Sequence, residues 1–217
     1  VPSQKIGIIG SGIVGRTLAS GFIKYDYEVM LGTGHIEKVI EWQKQAGKKA
    51  RIGSFSEAAA FGSLLVLAVK GLAAKEALKA AGTPNLDGKT VIDVTNPIAD
   101  APAKNGVLKY FTSLDASLME VLQEQFPKVN FVKAFNSIGS AFMVNPYFGG
   151  LKPTMFICGN NENSKREVVE ILDRFGFEAE DMGTVEAARA IEPLCMLWCI
   201  PGLLRNDWEH AFKFLKK

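Results

Sequence analysis

A glycine-rich turn between a buried strand and a helix, Gly10-Ser11-Gly12-Ile13-Val14-Gly15, constrains this chain more than any other feature. The hexapeptide matches G-x-G-x-x-G, and its surroundings give the match weight. Lys5–Ile9 reads as a buried strand, Ile13–Lys24 as a helix and Glu28–Leu31 as a second strand. In that setting Gly10 permits a tight exit from the strand, Gly12 lets a pyrophosphate approach the backbone, and Gly15 lets the helix pack closely on the sheet. Phosphates are then expected at the helix N-terminus, where unpaired N–H groups and the dipole attract anions. The alternative is a plain structural turn.

The rest of the chain continues the alternation. Predicted strands at 63–69 (SLLVLAV), 90–94 (TVIDV), 130–134 (NFVKA) and 154–158 (TMFIC) are short and apolar, as strands buried on both faces are. Predicted helices lie at 36–46, 56–61, 73–81, 114–125 and 164–175, with Ser56 as a candidate cap. After residue 176 the character changes: 186–192 reads as helical, a proline-interrupted apolar run follows, and 207–216 reads as a final helix. The fold class expected is α/β, a Rossmann-type, doubly wound, mainly parallel sheet. The chain is read as one nucleotide-binding unit, with a core over 5–138 and a smaller C-terminal part over 139–217. That part is expected to serve an acceptor pocket or a subunit interface.

Composition excludes several classes. The 217 residues carry a formal charge of +2, with Lys and Arg scattered, so nucleic acid is not an expected partner. The apolar run 194–204 is short and broken by Pro201 and Gly202, below the ~20 residues of a membrane helix, so membrane insertion is not expected. No leader pattern precedes Lys5, and three cysteines do not suggest a disulfide framework, so a reducing cytoplasm is expected. Cys195 and Cys199 lie four apart without further ligands nearby. Apolar packing or a redox pair are the readings left for them, and no metal site is expected.

Which nucleotide is bound depends on the end of the second strand. An acid there would accept hydrogen bonds from a free 2′-hydroxyl and repel a 2′-phosphate. The chain instead has Gly32-Thr33-Gly34-His35, with Lys38 one turn on. A hydroxyl, an open backbone and a cation suit a 2′-phosphate, which favours NADP over NAD. A solvated role for Lys38 is the competing reading.

The order of motifs resembles the NADPH-dependent reductases of the deazaflavin coenzyme F-420 and the related cytosolic domain of STEAP-type metalloreductases. The resemblance rests on "IGIIGSGIVGRTLASGF", "EVMLGTGHIEK", "LLVLAVK", "VIDVTNPI", "VKAFNSIGSAF", "FICGNNENSK" and "MGTVEAARAIEPL", in order along nearly the whole chain. It implies NADP(H) as one substrate, F-420 or a flavin (FMN or FAD) as ring acceptor, and a homodimer. Position by position, it implies that Ser11–Val14 with Thr33, Gly34 and Lys38 hold the adenosine side. Val69 and Lys70 would flank the cofactor, and Asn96, Pro97, Ala134, Phe135 and Asn136 would border the nicotinamide and the acceptor ring. The family commonly carries Ser-Arg where this chain has Thr33-Gly34. Its archaeal members carry a histidine near the position of Asn136.

The chemistry implied is hydride transfer by positioning, with the reacting carbons about 3–3.5 Å apart, and no catalytic acid or base is assigned. The two histidines, His35 and His210, are not placed to protonate a carbonyl. Bland readings stand beside each site residue: Asn96 and Asn136 as turn asparagines, Lys70 as a solvated lysine, and Met196, Trp198, Trp208 and Phe212 as core, interface or pocket wall. Glu186, Arg189 and Glu192 are expected as surface or interface charges. A small-metabolite dehydrogenase or imine reductase, and a non-catalytic NADP(H) sensor, are the other functions considered.

Overall fold

The computed structural model describes residues 4–217. Its elements are β1 (Lys5–Ile9), α1 (Ile13–Lys24), β2 (Glu28–Gly32), α2 (Ile40–Ala46), β3 (Ala50–Gly53), α3 (Phe55–Phe61), β4 (Leu64–Leu67), α4 (Ala74–Ala81) and the short α5 (Thr83–Leu86). Then come β5 (Thr90–Asp93), α6 (Leu118–Gln125), β6 (Asn130–Lys133), β7 (Thr154–Ile157), α7 (Glu162–Arg174), β8 (Glu178–Asp181) and α8 (Ala188–Arg205). Six strands form one parallel sheet in the order β3-β2-β1-β4-β5-β6, so the doubly wound α/β expectation is borne out. The order reverses between β1 and β4, and such sheets bind ligands outside the carboxyl ends of the strands at that point.

Period-two alternation gives each sheet face its own core. Ile6, Ile8, Leu64 and Val66 join Leu18 and Phe22 of α1 and Ile171 and Leu172 of α7 on one face. Leu65 and Leu67 join Leu78 of α4 and Leu122 of α6 on the other. β3 and β8 were not expected from the sequence. β3 has little apolar pattern to reveal it, and β8 (EAED) pairs only with β7 in a separate two-stranded parallel sheet. Strands at a sheet edge need little apolar character.

Capping decides two helix starts. Ser54, rather than Ser56, caps α3 through a reciprocal capping box with Glu57. A second box between Ser117 and Glu120 starts α6 at Leu118, four residues later than expected, and Leu114 stays exposed in the preceding loop.

The C-terminal part departs most from expectation. α8 runs unbroken through Pro193 and Pro201, and Val185–Arg205 is by length and composition apolar enough to cross a membrane. Its Glu192, Cys195, Trp198 and Gly202 are buried against the body. The expected helix over 207–216 does not form. That segment is extended: Thr154 N donates to Phe212 O at 2.8 Å, and Phe214 N donates to Thr154 Oγ1 at 3.0 Å. Lys213 and Lys216 pair with Glu178 and Glu180 of β8. Backbone groups on the open side of β7 need partners, and the tail supplies them, which outweighs its helical pattern.

Candidate functional site

The glycine turn leaves β1 with Gly10 at φ 122°, a conformation that favours glycine. A Cβ on Gly15 would lie 2.1 Å from Gly10 O, so helix and turn approach more closely than any side chain allows. At Gly12 a Cβ would meet nothing within 4 Å. The three glycines therefore divide their tasks as the motif requires.

Helix α1 starts at this turn with no side-chain cap and no acid in its first turn. Its leading N–H groups are left to an anion. Across the turn, Ser11 Oγ donates to Thr33 Oγ1 at 2.8 Å, and His35 N donates to the same oxygen at 2.9 Å. Thr33 thus fixes the loop after β2 to the glycine turn, and its own hydroxyl hydrogen remains to be donated. Gly34 is open, since a Cβ there would also meet nothing within 4 Å, and Lys38 is exposed in the 3₁₀ turn Ile36–Lys38. One carboxylate, Glu37, sits nearby, 3.3 Å from His35 Nδ1.

Gly10, Ser11, Gly12, Ile13, Val14, Thr33, Gly34, Val69 and Lys70 line one cleft of about 540 Å³, with His35, Phe55, Ala68 and Val94. A neighbouring pocket of about 420 Å³ shares Val69, Lys70 and Val94 and adds Leu72, Thr95, Asn96, Ile98, Ala99 and Asp100. The two make one channel across the carboxyl ends of β1, β4 and β5. Lys38, Pro97, Ala134, Phe135 and Asn136 are not among its lining residues. Pro97 and Ala134 are buried. Phe135 packs edge-on to Phe177 at 5.8 Å and against Phe175 at 6.0 Å, so its ring belongs to the core.

Phe135 has φ 60°, a left-handed conformation that costs an L residue about 1–2 kcal/mol. This reversal brings Asn136 beneath Asn96. Asn96 Nδ2 donates to Asn136 O at 2.8 Å, and Asn136 Nδ2 donates to Asn96 Oδ1 at 3.1 Å and to Ile191 O at 3.0 Å. Neither is a turn asparagine bonded to its own backbone. Asn136 Oδ1 is buried without a hydrogen-bond partner, an unused acceptor beside the channel floor.

Below that floor lies a cluster the motifs did not reveal. Lys133, wholly buried, has its ammonium 2.7 Å from Asp93 Oδ2 and 2.9 Å from Glu192 Oε1, and donates to Thr95 O at 2.9 Å. Asp93 Oδ1 accepts from Thr95 N and Thr95 Oγ1 at 2.9 and 2.6 Å. Glu192 accepts from Leu118 N and Met119 N at the start of α6, at 2.9 and 3.0 Å. Burial pulls the Lys133 ammonium down, but Asp93 and Glu192 outweigh it and hold the group above its ordinary value. Glu192 is therefore an interior ligand of Lys133, and the expectation of a surface or interface charge is corrected for it. The sequence signal was a charge inside each of two buried strands, Asp93 in TVIDV and Lys133 in NFVKA.

NADP(H) fits these residues on three observations: the open space over Gly12, the uncapped start of α1, and the unused acceptor on Asn136, which suits a carboxamide N–H.

Known proteins agree with this geometry. Residues 5–97 match the family described as NADP oxidoreductase coenzyme F420-dependent. Metalloreductase STEAP3 of Rattus norvegicus is 29% identical over 214 residues, covering 94% of this chain and 40% of that protein. Metalloreductase STEAP2 of Homo sapiens is 24% identical over 87% of the chain and 35% of its own length. The chain thus spans about two fifths or less of these curated relatives. A crystal structure from Arthrobacter sp. fb24, provisionally named an F420-dependent NADP-reductase, superposes with a TM-score of 0.92 at 28% identity, over 99% of this chain and 100% of that one. An imine reductase from Aspergillus terreus, at 18% identity and a TM-score of 0.67, covers 95% of this chain and 64% of its own, and shares the fold. The chain is therefore a relative of the NADP-dependent oxidoreductases, and its residues 5–97 carry the coenzyme F420-dependent pattern of that group.

Proposed function

We propose that this protein transfers hydride between NADPH and a ring acceptor, the deazaflavin F-420 or a flavin. The observation that carries the proposal is the continuous channel, with a glycine turn suited to pyrophosphate at one end and an apolar pocket at the other. When bound, the nicotinamide supplies the hydride with its electron pair. The chain's residues supply position. Gly12 and the α1 N-terminus take the phosphates, Thr33 and Lys38 face the adenosine side, and Asn96 with Asn136 orients the carboxamide. Leu72, Ile98 and Ala99 offer an apolar wall for a flat ring and exclude water from it. Lys70, exposed at the shared boundary, suits an anionic group of either partner.

The same reading includes a homodimer. α8 leaves Leu197, Leu203 and Leu204 exposed, and Gly106 packs tightly on Leu204, so the loop bearing the exposed Val107 and Phe111 extends the same apolar surface. Patches of this kind mark association sites. Sedimentation should give a dimer that Leu204→Glu converts to monomer.

Incubation of the purified protein with NADPH and, separately, F-420, FMN and FAD tests the activity. Oxidation of NADPH that depends on one of them is expected. No acceptor-dependent oxidation would sink the proposal. Turnover of a small imine or carbonyl without any flavin would replace it with the small-metabolite reading.

A further inference from the structure

The buried cluster beneath the channel has an electrostatic consequence as well as a structural one. Every group bonded to Asp93 and Glu192 is a donor: Lys133, the Thr95 hydroxyl and the N–H groups of Thr95, Leu118 and Met119. Both side chains thus act as carboxylates, and with one ammonium between them the three carry a net charge of −1. Their relative exposures are 0%, 1% and 0% for Asp93, Glu192 and Lys133. Solvent does not screen such a charge as it does a surface pair. The start of α6 offsets part of it through the helix dipole.

The cluster stands directly under the part of the channel that faces the acceptor pocket. Asp93 and Lys133 both hold Thr95, a lining residue, and Glu192 follows Ile191, whose carbonyl holds Asn136. A nicotinamide ring placed over Thr95 and Asn96 is neutral when reduced and cationic when oxidised.

We propose that Asp93, Lys133 and Glu192 are positioning residues that fix the channel floor and, through their net negative charge, favour the oxidised, cationic nicotinamide over the reduced one. The charge then aids departure of hydride, because the ring gains its positive charge as the hydride and its electron pair pass to the acceptor. This rests on the reading of the channel as a nicotinamide site.

The test is equilibrium binding of NADP⁺ and NADPH, measured by calorimetry without any acceptor. The unaltered protein should bind NADP⁺ at least as tightly as NADPH. Asp93→Asn should weaken NADP⁺ about tenfold more than NADPH, equivalent to ~1.4 kcal/mol. Glu192→Gln removes the same charge from the other side of Lys133 and should shift the ratio in the same direction. Thr95→Val keeps all three charges, and should weaken both nucleotides while leaving their ratio unchanged. A ratio unmoved by either charge-removing variant would overturn the inference while leaving the nucleotide site standing. If neither variant folds, the unaltered protein decides: NADPH bound tenfold or more tighter than NADP⁺ overturns it. Failure of the unaltered protein to bind either nucleotide would remove the site itself, and the inference with it.

Discussion

The two ends of the channel are built on opposite principles. The adenosine end is exposed backbone: an open glycine, the first turn of a helix, one hydroxyl and one exposed lysine. The floor toward the acceptor pocket is a buried ionic framework that fastens β5, β6, α6 and α8 together through Lys133. The first end can lose a contact and still fold. The second cannot, because removing one partner leaves uncompensated charge in the interior. Recognition at one end is therefore adjustable, while geometry at the other is tied to the stability of the whole fold.

That contrast makes graded predictions. Lys133→Met should be the most damaging change, since Asp93 and Glu192 would face each other without a cation. A loss of about 3–5 kcal/mol in urea unfolding is expected, and a loss under 1 kcal/mol would mean the cluster is not the framework described. At the opposite end, Lys38→Ala should leave the melting temperature unchanged and weaken NADPH about fivefold, the upper range for an exposed ion pair. NADH binding should hardly change, and the effect should shrink with added salt. Equal losses for both nucleotides would remove Lys38 from the 2′-phosphate.

The smallest effect concerns Glu120, which caps α6 just above the cluster. Its hydrogen bonds from Arg189, and then from Ser117, hold its carboxyl below the ordinary range. A depressed value in the folded state contributes stability above the unfolded value, and that contribution is lost as pH falls through the folded one. Glu120→Gln should therefore cost no more than about 1 kcal/mol at neutral pH. The difference from the unaltered protein should vanish in acid, and a difference that grows on acidification would contradict the assignment.

The adenosine end was legible in the sequence because its requirements are local. Gly10, Gly12 and Gly15 answer to the backbone of one turn, and the strand before and helix after it show in the apolar pattern. The floor was not, because its partners are distant in sequence: Asp93, Lys133 and Glu192 meet only once the sheet and α8 are assembled. A charge inside TVIDV and another inside NFVKA were the available signs, since buried strands hold ions only in pairs. The extended tail was hidden for a related reason. Its conformation is set by the open side of β7, not by its own periodicity.

The claim on which the rest depends is that the glycine turn holds the pyrophosphate of NADPH. Gly12 tests it directly, because its backbone (φ −66°, ψ −175°) is open to any residue and a Cβ there touches nothing. Gly12→Val should keep the melting temperature of the unaltered protein and lose NADPH affinity by about a hundredfold or more, ~2.7 kcal/mol in a calorimetric titration. A folded Gly12→Val protein that binds NADPH as tightly as the unaltered chain would contradict the account.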